Sequence, residues 1–131
     1  MIPDSSAWIE YFRRSGSDVH RRLARALQAR EQIAVTEVVV AEILAGVSGS
    51  AERTLVRRTL LAFQLVRLEG LGDYEHAAAL YRACRSAGET LRSITDCLIA
   101  VPAIRAGLPV LHSDADFDKL ARHTALEVVE L

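Results

Sequence analysis

A chain of 131 residues is long enough for one domain that buries a core without disulfides or a structural metal. Half of its residues are hydrophobic, a quarter are charged, and the formal net charge is −1, which excludes a strongly basic protein that holds nucleic acid by bulk electrostatics. The two cysteines, Cys84 and Cys97, form no CxxC pair or zinc-spaced cluster and read as small core hydrophobes. Met1 and Ile2 run straight into Pro3 and Asp4, so no signal peptide is expected, and no apolar run is long enough to span a membrane. A reducing cytoplasm is the expected compartment.

Met1 to Pro3 leads into Asp4-Ser5-Ser6, a helix-capping group, after which Trp8, Tyr11 and Phe12 fall on one helical face. Ser15-Gly16-Ser17 turns the chain into a second amphipathic helix with Val19, Leu23, Ala26 and Leu27 on its apolar side. Gln32 to Val35 reads as a short strand and Thr36 as the cap of a helix ending near Gly46. In that helix Glu42 has Val38 and Val39 one turn before it and Ala45 and Gly46 one turn after, so its stripe is apolar and an acid there needs a partner. Glu37 sits in the first turn, where a negative charge suits the helix dipole and has no further role.

Ala51 to Ala62 is predicted as a long helix, Phe63 to Leu68 as a strand, and the segment up to Gly88 as a helix with Tyr74, Ala77, Ala78, Tyr81 and Cys84 sharing a face. Asp96 stands at the start of a helix that is apolar all round from Cys97 to Val101, and Pro102 predicts a bend or an early end. Leu108 to Leu111 is an apolar strand that stops at His112-Ser113-Asp114-Ala115-Asp116. Phe117 to Arg122 is a brief helix, and Leu126 to Leu131 a last strand. Strands separated by helices imply parallel pairing through right-handed crossovers. The expectation is a single α/β domain over residues 1–131, a three-layer α/β/α sandwich with a central, mainly parallel sheet of about five short strands.

Open α/β sheets bind ligands beyond the carboxyl ends of their strands, where Asp114 and Asp116 lie and where Asp4, Glu42 and Asp96 fit as well. Five carboxylates in a small volume repel one another unless a cation intervenes. Oxygen ligands without thiolate or imidazole suit one or two Mg²⁺ or Mn²⁺ ions rather than zinc. Such ions activate water and steady a phosphoryl centre, so hydrolysis of a phosphodiester follows as the expected reaction. Asp114 to Asp118 imitates the opening of an EF-hand loop, but Lys119 occupies its glycine position and Ala125 its closing glutamate. No phosphate-binding glycine loop is present. Of the four histidines only His112 lies near the acids, and it reads as a polar residue at a strand end.

Four separated motifs carry a family resemblance: Asp4-Ser5-Ser6-Ala7-Trp8, Glu42-Ile43-Leu44-Ala45-Gly46, Thr95-Asp96-Cys97-Leu98-Ile99-Ala100, and Gly107 through Phe117. In this order and spacing the chain resembles a PIN-domain ribonuclease, and within that group a VapC-like toxin of a type II toxin–antitoxin pair. The resemblance implies that Asp4, Glu42, Asp96 and Asp114 surround Mg²⁺ or Mn²⁺, with Asp116 as a fifth acid and Ser6 supporting Asp4. It further implies endonucleolytic cleavage of RNA, tRNA or rRNA in particular, together with a homodimer and a cognate antitoxin that covers the acidic groove in a hetero-oligomer. Pro3 and Pro102 depart from the family pattern without touching an acid. The alternative function is a PIN-like partner-binding module with absent or vestigial nuclease activity, against which stands the presence of every acid.

Overall fold

Asp4 ends the first strand and starts the first helix. In the computed structural model, which describes residues 1–131, β1 is only Ile2–Pro3, and the Asp4 carboxylate accepts the backbone N–H of Ala7 to cap α1 (Ser5–Phe12). The same device recurs down the chain because Ser, Thr and Asp side chains satisfy amide groups that a helix start leaves unbonded. Ser17 caps α2 (Asp18–Gln28) through His20 N–H, and Thr36, the last residue of β2 (Ala34–Thr36), caps α3 (Glu37–Gly46) through Val39 N–H. Then come α4 (Ser50–Leu61), β3 (Gln64–Val66), α5 (Leu71–Ser86), α6 (Thr95–Ala106), β4 (Val110–Leu111) and α7 (Ala115–His123), the last capped by Asp114. No helix is long and apolar enough to cross a membrane.

The strands pair in parallel, β1 with β4 and β2 with β3, in the registers Pro3↔Leu111 and Val35↔Leu65. These two-stranded ladders replace the expected sheet of about five strands. Each strand pairs over only two or three residues, and β1 and β2 run directly into the helix caps at Asp4 and Thr36. The expected last strand, Leu126 to Leu131, touches β4 as an isolated parallel bridge, Val110↔Val128. A hydrogen bond from Ala34 N–H to Met1 O, 3.0 Å, links the two pairs edge to edge. Pro3 is compatible with β1 and is buried there.

The core joins Ile2, Val35, Val110 and Leu111 of the strands to Trp8, Leu23, Val39, Leu60, Ile99, Phe117 and Leu120 of the helices. Trp8 is fully buried and stacks on Phe12, with Phe63 and Tyr11 around it. The α2 stripe is buried as its periodicity indicates, at Val19, Leu23 and Ala26. In α5 the buried stripe is Ala77, Leu80 and Cys84, and Tyr74 is half exposed rather than part of it. Helix α6 runs past Pro102 to Ala106 instead of stopping short, with Pro102 itself buried, and Gly107 then takes the left-handed conformation that closes the helix. This central helix packs against α3, α5 and α7. Its first turn comes to lie beside the starts of α1 and α7, and its last turn beside the start of α5, where Arg105 meets Asp73.

Candidate active site

Parallel pairing of β1 with β4 sends both chains out at the same edge, so the residues after Pro3 and after Leu111 emerge together. Asp4 N–H donates to Leu111 O at 2.9 Å. Beyond that point the two segments are clasped by Ser6, whose hydroxyl donates to Asp4 Oδ1 at 2.6 Å and accepts the Ser113 N–H at 2.9 Å. Ser6 thus holds Asp4 and aligns the loop that carries Asp114.

Asp96, Asp114 and Asp116 each offer a carboxylate oxygen within 4.8 Å of the others. Asp4 and Glu42 lie outside that trio but act on it through charge. Burial pushes the Asp96 carboxyl up to about 7, and the negative charges of Asp114, Asp4, Asp116 and Glu42 push in the same direction. Asp4 is raised to about 6 by burial, against the hydrogen bonds of Ser6 and Ala7, with Asp114 and Glu42 adding repulsion. One electrostatic cluster therefore contains all five acids, three of them tightly grouped. Asp4 and Asp114 cap their helices, and Asp96 and Asp116 lie in first turns, so three helix N-termini favour negative charge at the same place.

Glu42 is exposed, not buried on an apolar stripe as its neighbours in sequence suggest. Val39 and Ile43 take the buried face of α3, and Glu42 looks into an open groove where Ser5 Oγ donates to its Oε1 at 2.7 Å. Glu37 is directed elsewhere, its Oε1 accepting the Leu68 N–H at 2.9 Å. His112 is also occupied: its Nδ1 accepts the Asp114 N–H at 3.1 Å and its Nε2 lies 3.2 Å from Asp118. Imidazole is thereby turned away from the carboxylate trio, leaving an all-oxygen donor set that fits a hard divalent cation.

Three polar side chains at the site had no signal in the sequence. Ser5 orients Glu42, and Arg92 and Lys119 both pair with Asp116. Burial alone would raise the Asp116 carboxyl, but hydrogen bonds from the Arg92 backbone, Lys119 and the Arg92 side chain outweigh it and hold the group below its ordinary range. Beside Glu42 the groove continues between α1, α3 and α4 as an apolar cleft of about 570 Å³, lined among others by Ile9, Phe12, Val47 and Leu55.

A family profile described as PIN domain matches residues 1–123. The chain is 43% identical over 128 residues to ribonuclease VapC11 of Mycobacterium tuberculosis, covering 97% of this chain and 96% of that protein, and equally to a VapC ribonuclease of Mycobacterium bovis. Among solved structures, VapBC2 of Rickettsia felis bound to a promoter DNA fragment superposes with a TM-score of 0.72 at 16% identity, covering 99% of this chain and 97% of that one. VapBC-5 of Mycobacterium tuberculosis superposes with a TM-score of 0.61 at 23% identity, covering 76% and 82%. FitAB bound to a DNA fragment gives 0.70 at 15% identity, covering 98% and 92%.

Proposed function

The chain belongs to the PIN-domain family, in its VapC group, and on that premise we propose that it is a metal-dependent endoribonuclease acting as the toxin of a toxin–antitoxin pair. The observation that carries this reading is the grouping of Asp96, Asp114 and Asp116, whose carboxylate oxygens lie within 4.8 Å of one another, with Asp4 from the α1 start and Glu42 from α3 beside them, a crowding that together with burial raises the Asp96 carboxyl. A fold does not keep such mutual repulsion for its own stability. Mg²⁺ or Mn²⁺ bound there supplies charge neutralisation at a phosphodiester and a water of lowered pKa.

The residues that hold the ion in this reading are Asp96 and Asp114, closed by Asp116, with Asp4 and Glu42 on the flank. Ser6 keeps Asp4 Oδ1 engaged and ties it to the loop of Asp114, and Ser5 holds Glu42 Oε1 by one hydrogen bond. In the ion-free chain the raised Asp96 carboxyl is part-protonated near neutral pH and the Asp4 carboxyl about one pH unit lower, and loading the site with a cation would release those protons. The substrate is RNA, a tRNA or rRNA loop being the class that the VapC group suggests. A cognate antitoxin is the natural occupant of the apolar cleft, which adjoins Glu42 and so leads directly to the acids. A homodimer, toxin–antitoxin hetero-oligomers and a cytoplasmic location complete the reading.

End-labelled RNA incubated with the purified protein tests it. Cleavage that needs Mg²⁺ or Mn²⁺, stops with chelator and disappears in Asp96→Asn is the expected outcome. Chelator-insensitive cleavage would remove the metal from the reaction, and no cleavage with any RNA or metal while antitoxin binding is intact would leave a partner-binding module instead.

A further inference from the structure

Between α5 and α6 the chain passes through Thr90-Leu91-Arg92-Ser93, where Leu91 is buried and the Arg92 side chain is 73% exposed. A long exposed side chain ordinarily keeps its rotamer freedom, and a single surface ion pair seldom outweighs that entropy. Arg92 is nevertheless held at several points. Its Nη2 donates to Asp114 Oδ1 at 2.5 Å, its Nε to Asp116 Oδ2 at 3.3 Å, and its backbone N–H to that same Oδ2 at 3.0 Å. Two acids of the tight trio are thus bridged by one guanidinium.

The oxygens of the trio divide accordingly. Asp116 Oδ1 accepts from Lys119 Nζ at 3.0 Å and Oδ2 accepts from Arg92, while Asp114 Oδ1 accepts from Arg92 and from the Asp116 N–H at 3.0 Å. Asp114 Oδ2 and the Asp96 carboxylate accept no protein hydrogen bond. A divalent cation that draws on all three acids brings its charge to carboxylates already paired with Arg92 and Lys119, so like-charge repulsion sets it in competition with those two side chains. Lys119 is the harder to move, since its side chain is only 27% exposed and also donates to Thr90 O at 3.4 Å. At Asp116 the Arg92 side chain makes the longer contact, 3.3 Å, and although it is also held by Asp114 it returns to open water on release, where its charge is solvated at little cost.

We propose that Arg92 is a resident counter-cation of the site: it occupies the Asp114–Asp116 edge in the ion-free chain and yields that edge to the divalent cation, so that its competition sets the cation affinity. This rests on the reading of the acids as a cation site. Arg92 is a positioning residue in this scheme, acting through Asp114 and Asp116.

Calorimetric titration of Mn²⁺ into chelator-treated full-length protein tests the competition without any RNA. Arg92→Gln should bind Mn²⁺ about three- to tenfold more tightly, the effect expected of removing one nearby unit charge in a solvent-screened site. Arg92→Lys, which keeps the charge, should stay near the wild-type affinity. As a control, Arg122→Gln removes a surface arginine paired with Glu89 and should change nothing. In the wild type, saturating Mg²⁺ should shift the Arg92 Nε–H resonance, because that group leaves Asp116. An Arg92→Gln protein that melts like wild type yet binds Mn²⁺ with equal or weaker affinity overturns the competition and leaves the cation site standing, as does an unmoved Nε–H signal. A wild-type protein that binds no Mn²⁺ overturns both.

Discussion

Asp73 and Asp96 occupy the same local position, each in the first turn of a helix whose N-cap supplies no side-chain hydrogen bond. Their charges meet opposite surroundings. Asp73 accepts the guanidinium of Arg105 and, at 2.6 Å, the Glu69 N–H, and these hold its carboxyl below the ordinary range, the Arg105 hydrogen bond first. Asp96 is half-buried among four acids and is pushed up to about 7. Helix α6 carries both sides of the contrast, with Asp96 near its start and Arg105 in its last turn. One acid is used to tie α5 to α6, and the other is kept unpaired at the cost of repulsion.

The sharpest break of this comparison is to neutralise each acid in turn. Asp96→Asn should lower metal-dependent RNA cleavage by about 100-fold or more, as loss of a group in the reacting centre does. The same change should stabilise the ion-free protein at pH 7.5, on the order of 1 kcal/mol after solvent screening. Asp73→Asn should do the reverse, leaving cleavage intact while the melting temperature falls. If both variants lose stability and both keep cleavage, the two acids are equivalent.

Glu42 and Glu37 sharpen the contrast within one helix. Glu42→Gln should reduce cleavage by about tenfold, because a flanking charge next to the trio is lost. Glu37→Gln should leave cleavage unchanged and weaken only the contact to Leu68 N–H, by roughly 0.5–1 kcal/mol in a urea titration.

A smaller effect is expected from the antitoxin. The acidic cluster should attract an Arg or Lys of the inhibitor, arginine being favoured because its planar fork holds a carboxylate through two hydrogen bonds. Millimolar Mg²⁺ or Mn²⁺ should then weaken antitoxin affinity several-fold, read by titration at constant ionic strength. An affinity indifferent to the ions would separate the antitoxin from the acids.

The gentlest test is the pH dependence of ion-free stability. Asp4 and Asp96 have folded values of about 6 and about 7, above the ordinary 3.8, so between roughly pH 4 and pH 7 the folded chain binds more protons than the unfolded one. Stability contributed by these groups is therefore greatest at the acid end of that window and falls as pH rises through it. Asp96→Asn should flatten the slope near pH 7, whereas Asp73→Asn should not.

Much of this protein was determined by local sequence. Helix starts at Asp4, Ser17 and Thr36 follow from side chains that satisfy free amides, and the α2 stripe follows from its period. Acids placed after strands and at helix starts identified the candidate site, since both kinds of chain end gather at one edge of a parallel sheet. Tertiary structure alone decided how few residues pair in each strand; at β1 and β2 the helix caps Asp4 and Thr36 take over the backbone at once. It decided that Glu42 faces an open groove, since the neighbouring Val39 and Ile43 claim the core. It also decided which acids are paired: Arg92 reaches Asp114 and Asp116 across 22 and 24 residues, and Arg105 reaches Asp73 across 32, while Asp96 is given no cation at all. A carboxylate's charge state depends on what surrounds it within a few ångströms, and for these acids the decisive neighbours come from distant parts of the chain.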